Sequence, residues 1–532
     1  MKAHLSWTVV LASLLLAANA VAAGDDACDK LNGLAISGAK IIFAQTVEAG
    51  RFAGPPAAFT GRDLTAFYKN VPAFCRVVGI AAPTADSNIR IEIWMPSAGW
   101  NGKLQGIGNG GFAGLIDFMQ LGLAVSKGYA ATATDTGHEG TPIDAAWARG
   151  HPEKVIDFGH RGIHEMTRVA KEAVHAFYGK SAQHSYFAGC SDGGREALME
   201  AQRYPEDYDG ILAGAPANNW TPLLANAVWD TQALTLDQAS FIPPAKIPAI
   251  SAAVLAACDE LDGVRDGILN DPRQCHFDPA MIQCKAGEDT DKCLTAPQAT
   301  ALKKIYAGLH DAHGHELFPG YLPGAEDGQG GWGLWITGPA PVQSLMASFG
   351  LGFFSYMVYE ESHWDYKTFK LEGGLKAAEE KTAGSLNAVN ADLKPFQSRD
   401  GKLILYHGWN DPAIPALNTV NYYESVVAKM GRDADSFVRL YMVAGMQHCD
   451  SGPGADSFGQ VGRLVFDDPQ HSVDAALEQW VEKGAAPSTI IASKYDDQHH
   501  AKMTRPLCAY PQAAKYTGSG DTNDAANFVC QK

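Results

Sequence analysis

The segment SYFAGCSDGGREALM sets Gly189, Ser191 and Gly193 in the spacing G-x-S-x-G, with a β-like run before it and a helical run after it. A serine hydroxyl is a weak nucleophile until a base takes its proton. A tight turn flanked by glycines exposes the hydroxyl, and the helix N-terminus behind it favours developing negative charge. The spacing alone is common by chance; its place between a strand and a helix is what points to acyl transfer. In such sites the acid and base follow the serine along the chain, each on a loop after a later strand. Asp411 lies in HGWNDPAIP, after KLILYHG, and His448 lies in AGMQHCD, after FVRLYMV. The expected roles are Ser191 as nucleophile, His448 as general base and Asp411 as the group that orients the histidine.

Acyl transfer also needs donors aimed at the tetrahedral oxyanion, one of them the backbone N–H after the nucleophile, which here is Asp192. A second is expected from the loop after an early strand. GIGNGGFAG offers Gly110 and Gly111, whose missing side chains would let a substrate approach the backbone.

Those residues must be positioned by a sheet. Residues 86 to 215 alternate β-like runs (IRIEIWMP, KLQGIG, YAATATD, SYFAG, GILAGAPA) with helical ones (GIHEMTRVAKEAVHAFYG, GGREALMEAQRYP). Such alternation predicts a mostly parallel sheet covered on both faces. The pattern lapses after about Trp220 and resumes with KLILYHG, a helix over LNTVNYYESVVAKMG, FVRLYMV, a helix over SVDAALEQWVEKG and a last strand STIIASKY. The expected fold is α/β, an α/β-hydrolase core with a large lid insertion. Its parts are a signal peptide at 1–22, core at 23–220, lid at 221–395 and core again at 396–532.

The leader MKAHLSWTVVLASLLLAANAVAAGDDAC has a short basic start, an apolar stretch from Trp7 to Ala18 and small residues suited to cleavage after Ala22 or Ala23. Export, to the periplasm or beyond the cell, is expected. The ten cysteines, Cys28, Cys75, Cys190, Cys258, Cys275, Cys284, Cys293, Cys449, Cys508 and Cys530, are even in number and contain no C-x-x-C pair. Disulfides are therefore expected rather than a zinc site. The close pairs Cys258/Cys275, Cys284/Cys293 and Cys508/Cys530 look like local loops, and connectivity is otherwise open. A formal net charge of −17 argues against nucleic acid and anionic membranes, which require clustered Lys and Arg. The expected partner is a small molecule.

The Cys190-Ser191 pair, Asp411 and the His448-Cys449 pair together resemble the tannase and feruloyl esterase family, which includes the bacterial mono(2-hydroxyethyl) terephthalate hydrolase. The likeness covers nearly the whole mature chain. It implies a Cys190–Cys449 disulfide tying the nucleophile loop to the histidine loop. It also implies a structural calcium ion (Ca2+) in CDELDGVRDGILNDPRQC, with side-chain ligands Asp259, Asp262 and Asp266 and carbonyl ligands from Val264 and Ile268. Carboxylates crowded into one loop repel one another unless a hard cation takes their oxygens. The insertion would then be the family's lid, carrying Trp332, Trp335, Phe349, Phe353, Phe354, Tyr356, Tyr359, Trp364 and Tyr366.

The expected activity is hydrolysis of an aromatic, phenolic acid ester of feruloyl, chlorogenate-like or galloyl type, without a redox cofactor. The rival readings are a terephthalate-monoester or other polyester-fragment hydrolase, a peptidase, and a non-catalytic calcium-stabilised binding protein. No arginine occurs between Arg273 and Arg399 to grip a second carboxylate, and Ile414 offers an aliphatic wall beside the acid loop.

Overall fold

The computed structural model describes residues 25–57, 61–460 and 468–532. The signal peptide expected at 1–22 lies outside them. A ten-stranded sheet organises the chain. Its strands are β1 (Ala35–Ile36), β2 (Ala39–Val47), β3 (Phe74–Ala81), β4 (Ile89–Pro96), β5 (Lys103–Ile107), β6 (Ala130–Thr134), β7 (His184–Cys190) and β8 (Gly210–Gly214). After the small hairpin of β9 (Leu309–His310) and β10 (Glu316–Phe318) come β11 (Lys402–Gly408) and β12 (Val438–Val443). The order across the sheet is β1-β2-β3-β4-β6-β5-β7-β8-β11-β12.

The parallel part runs from β6 to β12, where helices connect successive strands. The strands β1 to β4 are antiparallel, and β4 pairs antiparallel with β6. The expectation of a mostly parallel sheet over residues 86–215 holds, with β4 as its one antiparallel neighbour, and the strands before it make the whole sheet mixed. Short loops join β1 to β2 and β3 to β4, and a short connection can only reverse the chain; the longer link from β2 to β3 returns the chain antiparallel as well. STIIASKY departs from expectation: β13 (Thr489–Tyr495) pairs with β14 (Ala501–Cys508) in a separate hairpin outside the main sheet. A last hairpin joins β15 (Ala513–Tyr516) to β16 (Phe528–Gln531).

Side chains alternate across the sheet, as a period of two requires. On β11, Leu403 and Leu405 join one buried cluster with helices α1 (Gly162–Tyr178), α2 (Asp192–Arg203) and α4 (Ala416–Met430). Ile404 and Tyr406 join the other, with α5 (Val473–Lys483). Strands with apolar residues on both faces need cover on both faces.

The chain between β8 and β11 adds no strand to this sheet. It begins with helix α3 (Trp220–Thr235) and builds its own core from Ile250, Val254, Leu302, Ile305, Tyr321 and Trp332. The stretch Gln238–Asp262 has the length and apolar composition of a membrane span. Here it is broken by Pro243 and Pro244, and Ile250 and Val254 are wholly buried in the insertion's core. A further cluster, with Phe112, Trp220, Leu223, Phe353, Phe354 and Ile414, joins the insertion to the loops at the strand ends.

Candidate active site

β7 ends at Cys190 and α2 begins at Asp192, so Ser191 is the whole turn between strand and helix. Its φ of 67° and ψ of −121° are a strained conformation for a residue with a side chain. Three contacts hold it there. The Ser191 N–H donates to Gly214 O at 3.0 Å, and Ser191 O accepts from the Arg195 and Ala217 N–H groups. The glycines are required by close approach: a Cβ on Gly189 would sit 2.5 Å from Gly193 O, and one on Gly193 would sit 2.7 Å from Asn109 O.

Asp411 and His448 come from the loops after β11 and β12, neighbours in the sheet. His448 Nδ1 lies 2.7 Å from Asp411 Oδ2, which leaves Nε2 to take a proton. Asp411 Oδ1 accepts from the Ala413 and Ile414 N–H groups at 2.7 and 2.9 Å. Burial alone would raise the Asp411 pKa. The charge of His448 and hydrogen bonds from His407 and His448 outweigh it and hold the carboxyl below the usual carboxylate range. The group therefore stays ionised while fully buried.

The residues expected to supply the oxyanion donors lie at the serine turn and on the loop packed against it. Asp192 opens α2, so its N–H belongs to the first turn, where no carbonyl stands one turn earlier in the helix. The glycine loop packs directly on the elbow, with the Gly193 N–H donating to Asn109 O at 2.8 Å. Gly110 and Gly111 are partly exposed beside it. Gly111 has a further reason to be glycine: its φ is +60°, and a Cβ there would lie 2.2 Å from Pro142 O. The buried Glu196 on α2 accepts from both Asn109 N (2.8 Å) and Asn109 Nδ2 (3.1 Å). Sequence reasoning missed Glu196, although its place one turn beyond Asp192 on the same helix face was available as a signal.

It also missed His407. This fully buried side chain sends Nε2 to Asp411 Oδ2 at 3.0 Å, and its place four residues before Asp411 was the available clue.

All ten cysteines pair: Cys28–Cys75, Cys190–Cys449, Cys258–Cys275, Cys284–Cys293 and Cys508–Cys530. Cys190–Cys449, with Cα atoms 6.0 Å apart, crosses between the loops of Ser191 and His448. The insertion is bolted to the same loops. Asn410 Nδ2 donates to Pro323 O, and Gln447 Nε2 donates to Ala325 O and Asp327 O.

Of the insertion's aromatic residues, Trp335 lies against the histidine loop, its ring edge-on to His448 at 4.8 Å between centroids, and Tyr321 Oη donates to Ala413 O on the acid loop at 3.5 Å. Phe349 stacks behind Trp335 at 6.5 Å and meets Phe112 at 5.4 Å. Phe354, Tyr359, Trp364 and Phe369 pack on one another as core instead. Ile414 is buried in the cluster that joins the insertion to the sheet.

In the Cys258–Cys275 loop, Asp259 accepts from Gly267 N, Asp262 from Val264 N and Asn270 N, and Asp266 from Ile268 N. Asp266 also pairs with Arg505. Burial, with repulsion from Asp266 and Asp259, raises the Asp262 pKa. Burial and Asp259 likewise push Asp266 up against the pull of Arg505. The three carboxylates thus feel one another. Among the described residues no three of His, Cys, Asp and Glu converge as a metal-ligand group, so a cation here would have to draw these carboxylates together as well as take the Val264 and Ile268 carbonyls.

A mixed sheet, a strained serine elbow and an Asp–His pair on the following loops define an α/β-hydrolase. The model of the tannase and feruloyl esterase family matches residues 75–531. The chain belongs to that family, and is a carboxylic ester hydrolase of feruloyl esterase and tannase type. It is 40% identical to an uncharacterized esterase of Xanthomonas campestris pv. campestris, over 98% of this chain and 93% of that one. It is 34% identical to the probable feruloyl esterase B-1 of Aspergillus terreus, over 86% of each. The crystal structure of feruloyl esterase B from Aspergillus oryzae superposes with a TM-score of 0.86 at 28% identity, covering 95% of this chain and 100% of that one. Tannin acyl hydrolase from Aspergillus niger shares the fold, with a TM-score of 0.73 at 22% identity over 96% of this chain and 95% of that one.

Proposed function

We propose that this chain is an exported serine esterase that cleaves esters of phenolic aromatic acids, of feruloyl, chlorogenate or galloyl type, through an acyl-enzyme. Ser191 Oγ attacks the ester carbonyl while His448 Nε2 takes its proton. Asp411, on Nδ1, fixes the tautomer and stabilises the imidazolium. The N–H of Asp192 and that of Gly110 or Gly111 take the oxyanion. His448 then protonates the departing alcohol and later activates the water that releases the acid.

The single observation that carries this reading is the Asp411–His448 bond, held on the loop that Cys190–Cys449 ties to Ser191. Trp335 and Phe349 supply aromatic surface beside His448, which suits a phenolic acyl ring. The similarity to feruloyl esterases supports the same substrate class. Five disulfides suit an oxidising, extracytoplasmic compartment.

We propose that the Cys258–Cys275 loop takes a structural calcium ion, which Asp259, Asp262 and Asp266 would hold with the Val264 and Ile268 carbonyls. All five donors are hard oxygens, and a cation would relieve the repulsion among the carboxylates. The ion's role is to fix the loop, with no part in the acyl transfer.

A fluorophosphonate probe should label Ser191, and methyl ferulate, methyl gallate and chlorogenate should be hydrolysed. Ser191→Ala and His448→Ala should each lower kcat by about 10^4-fold or more, with Asp411→Asn severe but less complete. Wild-type turnover by Ser191→Ala would overturn the mechanism.

A further inference from the structure

Asp411 serves two histidines, and the mechanism above uses one. His407, on β11, is wholly buried. Its Nε2 faces Asp411 Oδ2 and Ile414 O, each at 3.0 Å. Both of those atoms only accept, so the Nε2 proton must be present. The other ring nitrogen, Nδ1, lies 2.7 Å from Thr419 Oγ1 on α4. With the proton on Nε2, a neutral ring accepts there and the threonine hydroxyl donates. Thr419 thereby fixes the tautomer that His407 presents to the carboxylate.

We propose that His407 is a positioning residue for the ester hydrolysis, which aims and tempers the Asp411 carboxylate for His448, with Thr419 holding it in the donating tautomer. The inference rests on the serine-esterase reading. Oδ2 receives two imidazole N–H groups and Oδ1 two backbone N–H groups, so four donors fix the carboxylate plane. Removing His407 leaves Oδ2 with His448 alone. The carboxylate then turns more freely about its bond and becomes more basic, because a hydrogen bond to its charged form has gone. A more basic Asp411 holds the His448 imidazolium more tightly, so His448 gives up its proton at higher pH.

Among the described residues, Asp450 follows His448 by two positions, and its N–H donates to His448 O at 2.7 Å. Tyr321, from the insertion, feels both Asp411 and Asp230 of α3. Across the sheet, β12 opposes His407 with Met442, and α4 meets it with Thr419; neither titrates.

The test compares the full-length wild type with His407→Leu, His407→Gln and Thr419→Val, following pH profiles of kcat/KM on methyl ferulate. Fluorophosphonate labelling of Ser191 in the wild type is checked first. His407→Leu should lose roughly 10- to 100-fold in kcat with little change in KM, the scale of one charge-assisted hydrogen bond. Its acid limb should move up by about 0.5 to 1 pH unit. His407→Gln, whose amide N–H can reach the place of Nε2, should restore most of both. Thr419→Val should move the limb the same way by a smaller amount, and it decides the matter if His407→Leu does not fold. A folded His407→Leu with unchanged kcat and acid limb, or an unmoved limb in Thr419→Val, overturns the inference. A wild type that neither reacts with the probe nor cleaves the ester overturns the underlying serine-esterase reading instead.

Discussion

Cys190 and Cys449 are covalently joined with their Cα atoms 6.0 Å apart, and each is the chain neighbour of a residue of the proposed triad, Ser191 on one side and His448 on the other. Cys449 itself has a φ of 61°, so the base loop, like the elbow, holds a residue in a costly conformation. A crosslink between two strained turns fixes distance where acyl transfer is most sensitive to it.

Replacing both cysteines, as Cys190→Ser with Cys449→Ser, is therefore expected to damage catalysis more than folding. A displacement of about 1 Å between nucleophile and base costs on the order of 100-fold in kcat. The other four disulfides and the two buried faces of the sheet remain. Steady-state kinetics beside a thermal melt check this, and a variant with wild-type kcat would refute it.

The serine elbow and the three short disulfide loops were legible because their chemistry is local, whereas Cys190–Cys449, 259 residues apart, was implied only by the family resemblance and Cys28–Cys75 was left open. G-x-S-x-G needs only its neighbours to be read, and Asp411 and His448 each follow an unmistakable β-run. The direction of β1 to β4 was less legible, since alternation of apolar residues reports burial and not strand polarity. The register of β13 with β14 was hidden for the same reason. His407 reads as one more buried residue in KLILYHG, because what distinguishes it is a contact across the loop to Asp411 and across to α4. Likewise nothing in the aromatic run of the insertion marks Trp335 apart from Trp364. Only the folded chain puts one against His448 and the other in a core.

Glu196 is expected to govern kcat through the glycine loop. Burial and the neighbouring Asp192 push its pKa up, against the pull of Arg195 and Asn109. Its two bonds to Asn109, one to the backbone N–H and one to the side-chain amide, hold the residue that precedes Gly110. Glu196→Ala should lower kcat about 10- to 100-fold, short of losing an oxyanion donor outright, with KM nearly unchanged. Glu196→Gln, which keeps one acceptor, should fall between. Equal kcat for all three on methyl ferulate would show that the loop needs no such support.

His138 should make the fold sensitive to acid. It stacks on Trp147 at 3.7 Å and donates from Nε2 to Phe112 O, just past the glycine loop. Burial pushes its pKa down to about 3, with the charge of Lys154 adding to that and the bond to Phe112 opposing it. In the unfolded chain the same ring charges near pH 6.5. Between those values the unfolded state binds the extra proton, so this stability is present above about pH 6.5 and is lost as pH falls towards 3. Denaturant unfolding of wild type and His138→Phe at several pH values isolates the effect. The stability difference should shrink by at most about 1.4 kcal/mol per pH unit below pH 6.5. A constant difference would contradict the assignment.

Chelation of the calcium ion proposed for the Cys258–Cys275 loop should lower thermal stability with little direct effect on chemistry, since an ion that binds only the native loop stabilises it by mass action. Prolonged chelation should lower the Tm, and added Ca2+ should restore it. Asp262→Asn should lower the Tm in Ca2+ and blunt the response to chelator. Elemental analysis that finds no bound metal, together with an unmoved Tm, would remove the ion from the account.

Substrate choice tests the insertion. A terephthalate monoester carries a second carboxylate on its ring, best gripped by a forked guanidinium, because two parallel charge-assisted bonds fix position and plane together. The chain from Gln274 to Ser398 contains no arginine, and lysines there, such as Lys367, are single mobile charges. What stands beside His448 instead is Trp335, with Phe349 behind it, and Ile414 lies on the acid loop. Moving an ionised carboxylate onto such a surface costs solvation that nothing there returns. A neutral phenolic ring loses little and gains aromatic contact. Methyl ferulate or methyl gallate should therefore be cleaved with a kcat/KM at least ~10-fold above the terephthalate monoester, about 1.4 kcal/mol of transition-state preference. Both substrates measured on one preparation decide it, and a faster reaction with the terephthalate monoester would reverse the specificity argued here.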